Sequence, residues 1–391
     1  MAVSQFSSGL IGLGSRLFLG RETTWGTAVT GDPDATPNQL EIFNIYPQPG
    51  GRPQKTYASI EVPQLFPSMF RLKPLKGRTT VAGSFTFSLP KENLGTFLTL
   101  VTGDTSGPYE MQEVNNESWT IIQTLGARQA ARYTGMKANS MTLNVTTDSV
   151  VSFDLDFMGK DEEFSGDLGT AGNVTTLDGW FQYPIGASDS TGHPFSISSG
   201  NITGILDQAG LGGSGTTTFD KFVDVYASTE TTLRVARAAD EKVVANTGDA
   251  NTSWETSDDF IIPFSDFSLT VSNALDFPAY INGSQNPNEP IPSGFKEITG
   301  SMTVPFNQHT DKFVSGLYNR ETFKAQLAFV NGGRSVLIDM PNFCLTGDGS
   351  PGSVPEGEIT LPVSFGVYAG VDSNSTFDST ETIKFTVDES A

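Results

Sequence analysis

The feature that most constrains the fold is a strand-like phrase that occurs twice. Residues 77–87 read GRTTVAGSFTF and residues 294–304 read GFKEITGSMTV, with the two glycines at the same separation in each copy. Each phrase leads into a short helix-like segment, 94–101 or 312–318, and later into two strand-like segments. These strand pairs are 140–145 with 150–159, and 342–346 with 358–366. A repeat of this length indicates two copies of one supersecondary unit in one chain.

The composition favours a β-rich chain with sizeable cores. The 391 residues are enough for two or three domains, and 41 Gly and 22 Pro supply many turns. The 28 Phe against four Trp predict a core with a large apolar aromatic share. The predicted fold class is therefore all-β dominated.

The charge limits the possible partners. A formal net charge of −21 argues against a protein that grips nucleic acid by its phosphates, because such binding depends on Lys and Arg displacing counterions. It does not argue against a protein that lets DNA pass. No apolar run is long enough to span a bilayer, and the first twenty residues lack the basic start of a signal peptide.

One strand of each copy alternates between apolar and polar residues. In 151–157 the period of two places Val151, Phe153, Leu155 and Phe157 on one face, and Asp154 and Asp156 on the other. In the second copy, residues 359, 361, 363 and 365 are apolar, and Glu358 lies on the opposite face. The acidic faces meet either water or a partner, since a half-solvated sheet is ordinary in a sandwich.

Several other segments carry structural predictions. Residues 16–20 predict a first strand, and residues 46–76 are too rich in proline for a central strand and predict a long loop. Residues 276–293 form its turn-rich counterpart, and 164–218 a connector with short strands. Residues 231–245 fit either a helix or a long strand, and 383–387 an edge strand or an arm onto a neighbour.

The sequence offers little material for catalysis. The two histidines, His193 and His309, fit turn and helix-start positions, and no nucleophile elbow, phosphate loop or paired cysteine set is present. Cys344, the one cysteine, fits a small buried apolar side chain. Acidic pairs such as Asp258 and Asp259 arise by chance in a chain with 44 acidic residues. We predict no catalytic residue, no cofactor, no metal site and no enzymatic activity.

An ordered series of phrases resembles the tail tube proteins of long-tailed bacteriophages. The phrases are LFLGRETTWGTA at 17–28, the repeat at 77–87, YTGMKANSMTL at 133–143, FMGK at 157–160, FSLTVSNAL at 267–275 and the repeat at 294–304. The resemblance implies β-sandwich modules, each flanked by a short helix, that form rings stacked into a hollow conduit for the genome. The long 164–218 segment departs from it.

Combined with the repeat, the resemblance implies an architecture of two sandwich modules. We expect a first module at 1–163, a connector or insertion at 164–218, and a second module with a C-terminal arm at 219–391. Six sandwich positions per ring would then need three chains, which predicts homotrimeric rings with pseudo-sixfold symmetry. Three copies carry a formal charge of −63, three times that of one chain. An acidic bore would repel the phosphate backbone, so DNA would slide through it.

The resemblance and the patterns together nominate residues for assembly. Asp154, Asp156 and Glu358 are candidates for lining the bore. The proline-rich loops nominate five ring-stacking candidates: Tyr57, Phe66, Phe70, Phe277 and Tyr280. Trp25 is either an interface anchor or part of the core.

The expected partners are further copies of the chain, other tail proteins at the tube ends, and double-stranded DNA in transient passage without specific binding. No membrane partner is expected, and the expected location is the virion tail, assembled in the host bacterial cytoplasm. Two alternatives stay open. The chain could be another virion protein, of the tail tip or capsid decoration type, or a secreted β-rich binding or surface-layer module.

Overall fold

The structure is a computed structural model. The residues that it describes are 17–29, 40–43, 51–61, 73–91, 94–113, 115, 117–125, 129–164, 196–198, 201–204, 225–237, 260–278, 280, 284–306, 322–346, 359–371, 377–378 and 382–388.

The first half contains nine strands and one helix in its described residues. They are β1 Leu17–Arg21, β2 Leu40–Phe43, β3 Gln54–Ile60, β4 Leu75–Ser88, α1 Leu94–Thr102, β5 Tyr109–Glu110, β6 Trp119–Leu125, β7 Gln129–Thr146, β8 Ser152–Gly159 and β9 Asp161–Phe164. The strand-rich content confirms the predicted all-β class.

The rest of the described chain is almost entirely strand. A hairpin of β10 Ser196–Ser198 and β11 Asn201–Gly204 precedes a single 3-10 turn at Ser228–Glu230. The later strands are β12 Thr231–Arg237, β13 Phe260–Ile262, β14 Asp266–Ser272, β15 Leu275–Asp276, β16 Ile291–Pro292, β17 Glu297–Pro305, β18 Thr322–Asn331, β19 Arg334–Thr346, β20 Thr360–Val367, β21 Gly370–Val371, β22 Phe377–Asp378 and β23 Lys384–Asp388.

The two halves share one pattern of antiparallel strand pairing. In the first half the order is β3–β4–β8–β7, and in the second it is β14–β17–β20–β19. A second set of pairings runs β2–β1–β6–β7–β9 in the first half and β13–β12–β18–β19–β23 in the second. Each half thus wraps two sheets around its core, and the long strands β7 and β19 belong to both sheets.

One sheet continues from the first half into the second. Strand β7 pairs with β14 over seven residue pairs, from Thr146 opposite Asp266 to Ser140 opposite Ser272. This junction joins the two four-stranded ladders into a single eight-stranded one, from β3 at one end to β19 at the other. The halves are therefore bound by backbone hydrogen bonds as well as by side-chain packing.

The core is rich in phenylalanine, as the composition predicts. In the first half the rings of Phe87 and Phe153 lie 5.2 Å apart and those of Phe87 and Phe97 lie 5.3 Å apart. In the second half Phe343 and Phe365 lie 4.6 Å apart. All five side chains are buried in one continuous cluster that spans both halves. Burying each such side chain contributes about 1.5–3 kcal/mol.

The first predicted helix is confirmed, because α1 covers Leu94–Thr102. Its apolar side chains are buried and Phe97 packs against Phe153 of β8. The helix is followed by Gly103, whose φ of +81° suits the left-handed position that often follows a helix end. The second predicted helix, 312–318, lies outside the described residues.

Three local predictions change. Residues 54–60 of the expected proline-rich loop form β3, which pairs with β4, because the prolines lie on either side of this stretch. Residues 231–237 form strand β12 between β13 and β18, while the rest of 231–245 lies outside the described residues. Strand β23 is neither an edge strand nor an arm, since it pairs with β19 on one side and with β5 on the other.

Candidate functional site

The outer side of the eight-stranded ladder carries a continuous polar surface, which we call the hydroxyl face. It comprises the side chains that alternate with buried apolar ones on six neighbouring strands. They are Ser84, Thr86 and Ser88 on β4; Ser152, Asp154 and Asp156 on β8; Ser140, Thr142, Asn144 and Thr146 on β7; Asp266, Ser268, Thr270 and Ser272 on β14; Glu297, Thr299, Ser301 and Thr303 on β17; and Thr360, Pro362 and Ser364 on β20. Alternation with period two produces this surface on every strand.

The charge of the hydroxyl face is negative. The residues of the face named above include four carboxylates and no Lys or Arg, and the face ends on β4 before Lys76 and Arg78, which alternate on the same side at the start of that strand. Its nearest base along β7 is Lys137, which is buried and whose Nζ lies 2.7 Å from Glu289 Oε1. The face therefore presents hydroxyl groups and acids to whatever lies against it, without a cation that could hold a phosphate.

Hydrogen bonds link the side chains of the face across the strands. Thr86 Oγ1 donates to Asp154, and Asn144 Nδ2 donates to Asp154 Oδ2 at 3.3 Å. At the junction of the halves, Ser268 Oγ donates to Asn144 Oδ1 at 3.0 Å, and the hydroxyls of Thr142 and Thr270 lie 3.0 Å apart. The network crosses from the first half to the second.

Asp156 is partly removed from water on this face. Burial raises the pKa of its carboxyl above the ordinary 3.8, while the hydrogen bond from Asn139 Nδ2, 3.1 Å long, acts in the opposite direction. The desolvation effect is the larger, so the charged form is disfavoured.

The structure brings together two predicted acids and two that the sequence interpretation missed. Asp154 and Asp156 lie on one face of β8, as predicted, but Glu358 lies outside the described residues. Strand β20 carries no carboxylate in its described residues, so the acids of the second half come from Asp266 on β14 and Glu297 on β17. The alternation in DFSLTVS at 266–272 is the signal that could have identified Asp266.

The predicted stacking residues have different surroundings. Tyr57 on β3 is 52% exposed, with Lys76 Nζ 3.9 Å from its ring centre, and Tyr280 is 67% exposed. Phe277 is only 9% exposed and packs within its own chain. Phe66 and Phe70 lie outside the described residues.

Trp25 is held inside its own chain. Its Nε1 donates to the carbonyl oxygen of Gly135 at 3.0 Å, and Lys160 Nζ lies 5.2 Å from its ring centre. Gly135 has a φ of +67°, and a Cβ there would lie 2.9 Å from Trp25 Nε1. Trp25 is half-buried and these contacts hold it against its own chain, and its role as an interface anchor stays a prediction.

Glu22, beside this tryptophan, is a buried acid with four donors. Its carboxylate accepts hydrogen bonds from the backbone N–H groups of Gly26 and Gly135, at 2.7 and 2.8 Å, and from the hydroxyls of Ser118 and Thr120, at 3.0 and 2.9 Å. These bonds join the phrases at 17–28 and 133–143, and Lys160 Nζ, which donates to the carbonyl oxygen of Gly26 at 3.2 Å, adds the phrase at 157–160. The three phrases therefore meet in space.

Other chemical sites are scarce in the described residues. They contain no group of three or more His, Cys, Asp or Glu side chains placed to hold a metal ion. Their helices include none with the length and apolar character needed to cross a membrane. Cys344 is half-buried rather than buried, with its Sγ 3.6 Å from Thr322 Oγ1, and both histidines lie outside the described residues.

Comparison with protein families identifies the family of the chain. A family profile described as phage tail tube protein matches residues 12–369, which include both copies of the repeat. The chain belongs to the phage tail tube protein family. As such it is a structural component of a phage tail that assembles into a tube with other tail proteins. The match confirms the resemblance and favours it over the capsid-decoration and secreted-module alternatives. Among curated proteins, none matches the chain.

Proposed function

We propose that three copies of this tail tube protein close into a ring, and that such rings stack into the hollow acidic conduit through which the phage genome leaves the virion. The observation that carries the proposal is the hydroxyl face, a sheet surface with acids and no base that spans both halves of the chain. We infer a purely structural role, with no enzymatic activity, in a tail assembled in the host cytoplasm.

The repeated pairing supports the number of chains. Strand for strand, β3–β4–β8–β7 corresponds to β14–β17–β20–β19, so one chain supplies two equivalent positions. A ring of six positions then needs three chains and has pseudo-sixfold symmetry. The proposed modules are 1–163 and 219–391, with 164–218 as the connector.

The hydroxyl face is the surface best suited to line the bore. DNA carries a dense row of phosphates, and a wall without Lys or Arg offers them no counterion to displace. Acids at Asp154, Asp156, Asp266 and Glu297 would repel the phosphates weakly along the whole wall. DNA then slides without specific binding.

Contacts between stacked rings are proposed for the exposed tyrosines. Tyr57, on β3, and Tyr280, in the β15–β16 connection, each present a ring to solvent. Exposed aromatic side chains supply large contact areas at interfaces at low conformational cost.

Electron microscopy of the purified chain tests this function. In negative stain, the protein alone should form hollow rings or tubes, and end-on averages should show six similar lobes. Particles without a central channel, or rings whose lobe number is not twice the number of chains, would contradict the proposal.

A further inference from the structure

The loop that follows β14 in the second half reaches back onto the first half. Its described residues, 277–278, 280 and 284–290, lie against the start of β4 and the middle of β7. Three contacts hold it there: Arg78 Nη1 to the carbonyl oxygen of Pro278 at 2.9 Å, the N–H of Thr79 to the carbonyl oxygen of Gln285 at 2.8 Å, and Lys137 Nζ to Glu289 Oε1 at 2.7 Å. The first half therefore has a binding site for this loop.

The repeat identifies the matching site on the second half. Gly83 on β4 lies opposite Phe157, and Gly300 on β17 lies opposite Phe365, so the two glycines correspond. Arg78 lies five residues before Gly83, and Phe295 lies five residues before Gly300. Phe295 is therefore the equivalent of Arg78. By the same correspondence, the loop between β3 and β4 is equivalent to the loop between β14 and β17.

The site on the second half is open, with an exposed apolar side chain at Phe295 and, in the place of Thr79, the half-buried Lys296, whose Nζ donates to the carbonyl oxygen of Gln112. Phe295 is 93% exposed, the highest value for a large apolar side chain in the described part of the chain. Tyr368, just beyond β20, is 54% exposed, and its ring lies over Gly366 on the same side of the sheet. A nearly bare phenylalanine on a soluble surface is typical of a contact that another chain completes.

The loop between β3 and β4, which is equivalent to the loop between β14 and β17, has matching chemistry. Residues 61–74, which connect β3 to β4, contain Leu65, Phe66, Met69 and Phe70. The loop between β14 and β17 contacts Arg78, Thr79 and Lys137 through two backbone carbonyls and one carboxylate, whereas this loop combines these four apolar side chains with Arg71 and Lys73, and its predicted host residue Phe295 is apolar. Residues 62–72 of this segment lie outside the described residues.

The guest loop must come from a second copy of the chain. In the observed contact the loop leaves β14, which lies next to β7, and crosses to β4 of the same ladder. The equivalent loop must therefore start from a β3 strand that lies beside β19. In one chain β3 and β19 are at opposite ends of the eight-stranded ladder, about 34 Å from each other measured along the sheet at ~4.8 Å per strand.

We propose that Phe295 and Tyr368 of one copy form an apolar docking site for residues 61–74 of a neighbouring copy. This contact joins neighbouring chains of one ring. It assigns Phe66 and Phe70 to that contact rather than to the contact between stacked rings. This inference rests on the proposed ring assembly, which supplies the neighbouring copy.

Photo-crosslinking tests the contact directly. In the variant Phe295→p-benzoylphenylalanine, assembled from a mixture of isotopically labelled and unlabelled chains, irradiation should join position 295 to residues 61–74 of a different copy. The same probe at Val330, which is 55% exposed, is the matched control and should give at least tenfold less of this product. Products confined to one copy, products elsewhere, or no product at position 295 would overturn the proposal.

Electron microscopy of the same samples separates this inference from the proposed function. Tubes without the crosslink would overturn the docking site alone. A crosslink between copies in samples without rings would overturn the ring proposal and support the docking site. The variant Phe295→Ser adds a second readout, because it should raise the protein concentration needed for assembly at least tenfold, whereas Val330→Ser should leave it unchanged.

Discussion

Leu143 of β7 lies directly opposite Leu269 of β14, so the sheet of the first half continues into that of the second. Both side chains are buried and belong to the cluster that spans the halves. The two repeat units therefore form one continuous structure. The β7–β14 junction between them occurs once within the chain. We expect the same kind of junction between chains.

The isolated first half should self-associate. A fragment of residues 1–163 exposes the edge of β7 that β14 covers in the full chain, and an open strand edge favours pairing with another chain. Size-exclusion chromatography should show oligomers or aggregates of the fragment. At the same concentrations the full-length chain should elute as a single species, either a soluble ring or a monomer. A monodisperse monomeric fragment would contradict this junction.

Removing the buried carboxylate of Glu22 should destabilise the fold strongly. Glu22→Ala leaves four donors without their acceptor, and each buried unpaired group costs about 1–3 kcal/mol. Because the costs are not additive, we expect a loss of about 3–5 kcal/mol in the free energy of unfolding, measured by urea denaturation. The control Arg21→Ala, which breaks the exposed ion pair with Glu117, should cost about 1 kcal/mol or less.

Gly135→Ala should cost more than Gly332→Ala. Both glycines have positive φ, +67° and +60°, so both substitutions carry the backbone penalty of about 1 kcal/mol. A Cβ at position 135 would also lie 2.9 Å from Trp25 Nε1, whereas nothing lies within 4 Å at position 332. Thermal denaturation should show at least twice the loss of stability for Gly135→Ala, and equal losses would contradict the packing of Trp25.

Asp156→Asn should alter the pH dependence of stability. Burial raises the pKa of Asp156 above 3.8, so the folded state binds its proton more readily than the unfolded state does. The charged carboxylate then costs stability at neutral pH, and this cost disappears as the pH falls through the raised pKa towards 3.8. The variant, which keeps an acceptor for Asn139, should be more stable than the wild type at pH 7 and lose that advantage near pH 3.

The control for this prediction lies on the same face. Asp266 is exposed, so Asp266→Asn should shift the stability at pH 7 less than Asp156→Asn does. Urea denaturation at a series of pH values measures both. A constant difference between Asp156→Asn and the wild type across the series would contradict the role given to burial.

A lysine on the hydroxyl face should make the tube hold DNA. Ser301 and Ser364 are exposed at this face, so Ser301→Lys, and separately Ser364→Lys, would place a ring of cations along the proposed bore. Tubes assembled with short duplex DNA should retain it at least tenfold better than wild-type tubes at low salt, and lose it as salt rises. Thr23→Lys, exposed outside the hydroxyl face, should have no such effect in co-sedimentation.

Local pattern was enough to predict part of this fold. Alternation identified the faces of β8, the helix-like segment after the first repeat identified α1, and the doubled glycine phrase identified the corresponding strands β4 and β17. These features depend on neighbouring residues along the chain. Short-range chemistry determines them.

Features that depend on distant partners were missed. The role of Glu22 depends on donors that are distant in sequence, such as Ser118, 96 residues away, and Gly135, 113 residues away. No spacing in the sequence shows that these residues meet. The prolines of residues 46–76 predict a loop, but they flank β3 rather than interrupt it, so the strand forms between them. The position of β23 between β19 and β5 depends on pairing with segments far along the chain.

A cryo-electron microscopy reconstruction of tubes formed by the purified protein tests the central claim most directly. The account predicts three chains per ring, six four-stranded ladders around the channel, and the side chains of Asp154, Asp156, Ser301 and Ser364 facing the bore. A ring with one four-stranded position per chain, or a channel lined by a surface other than the hydroxyl face, would contradict it.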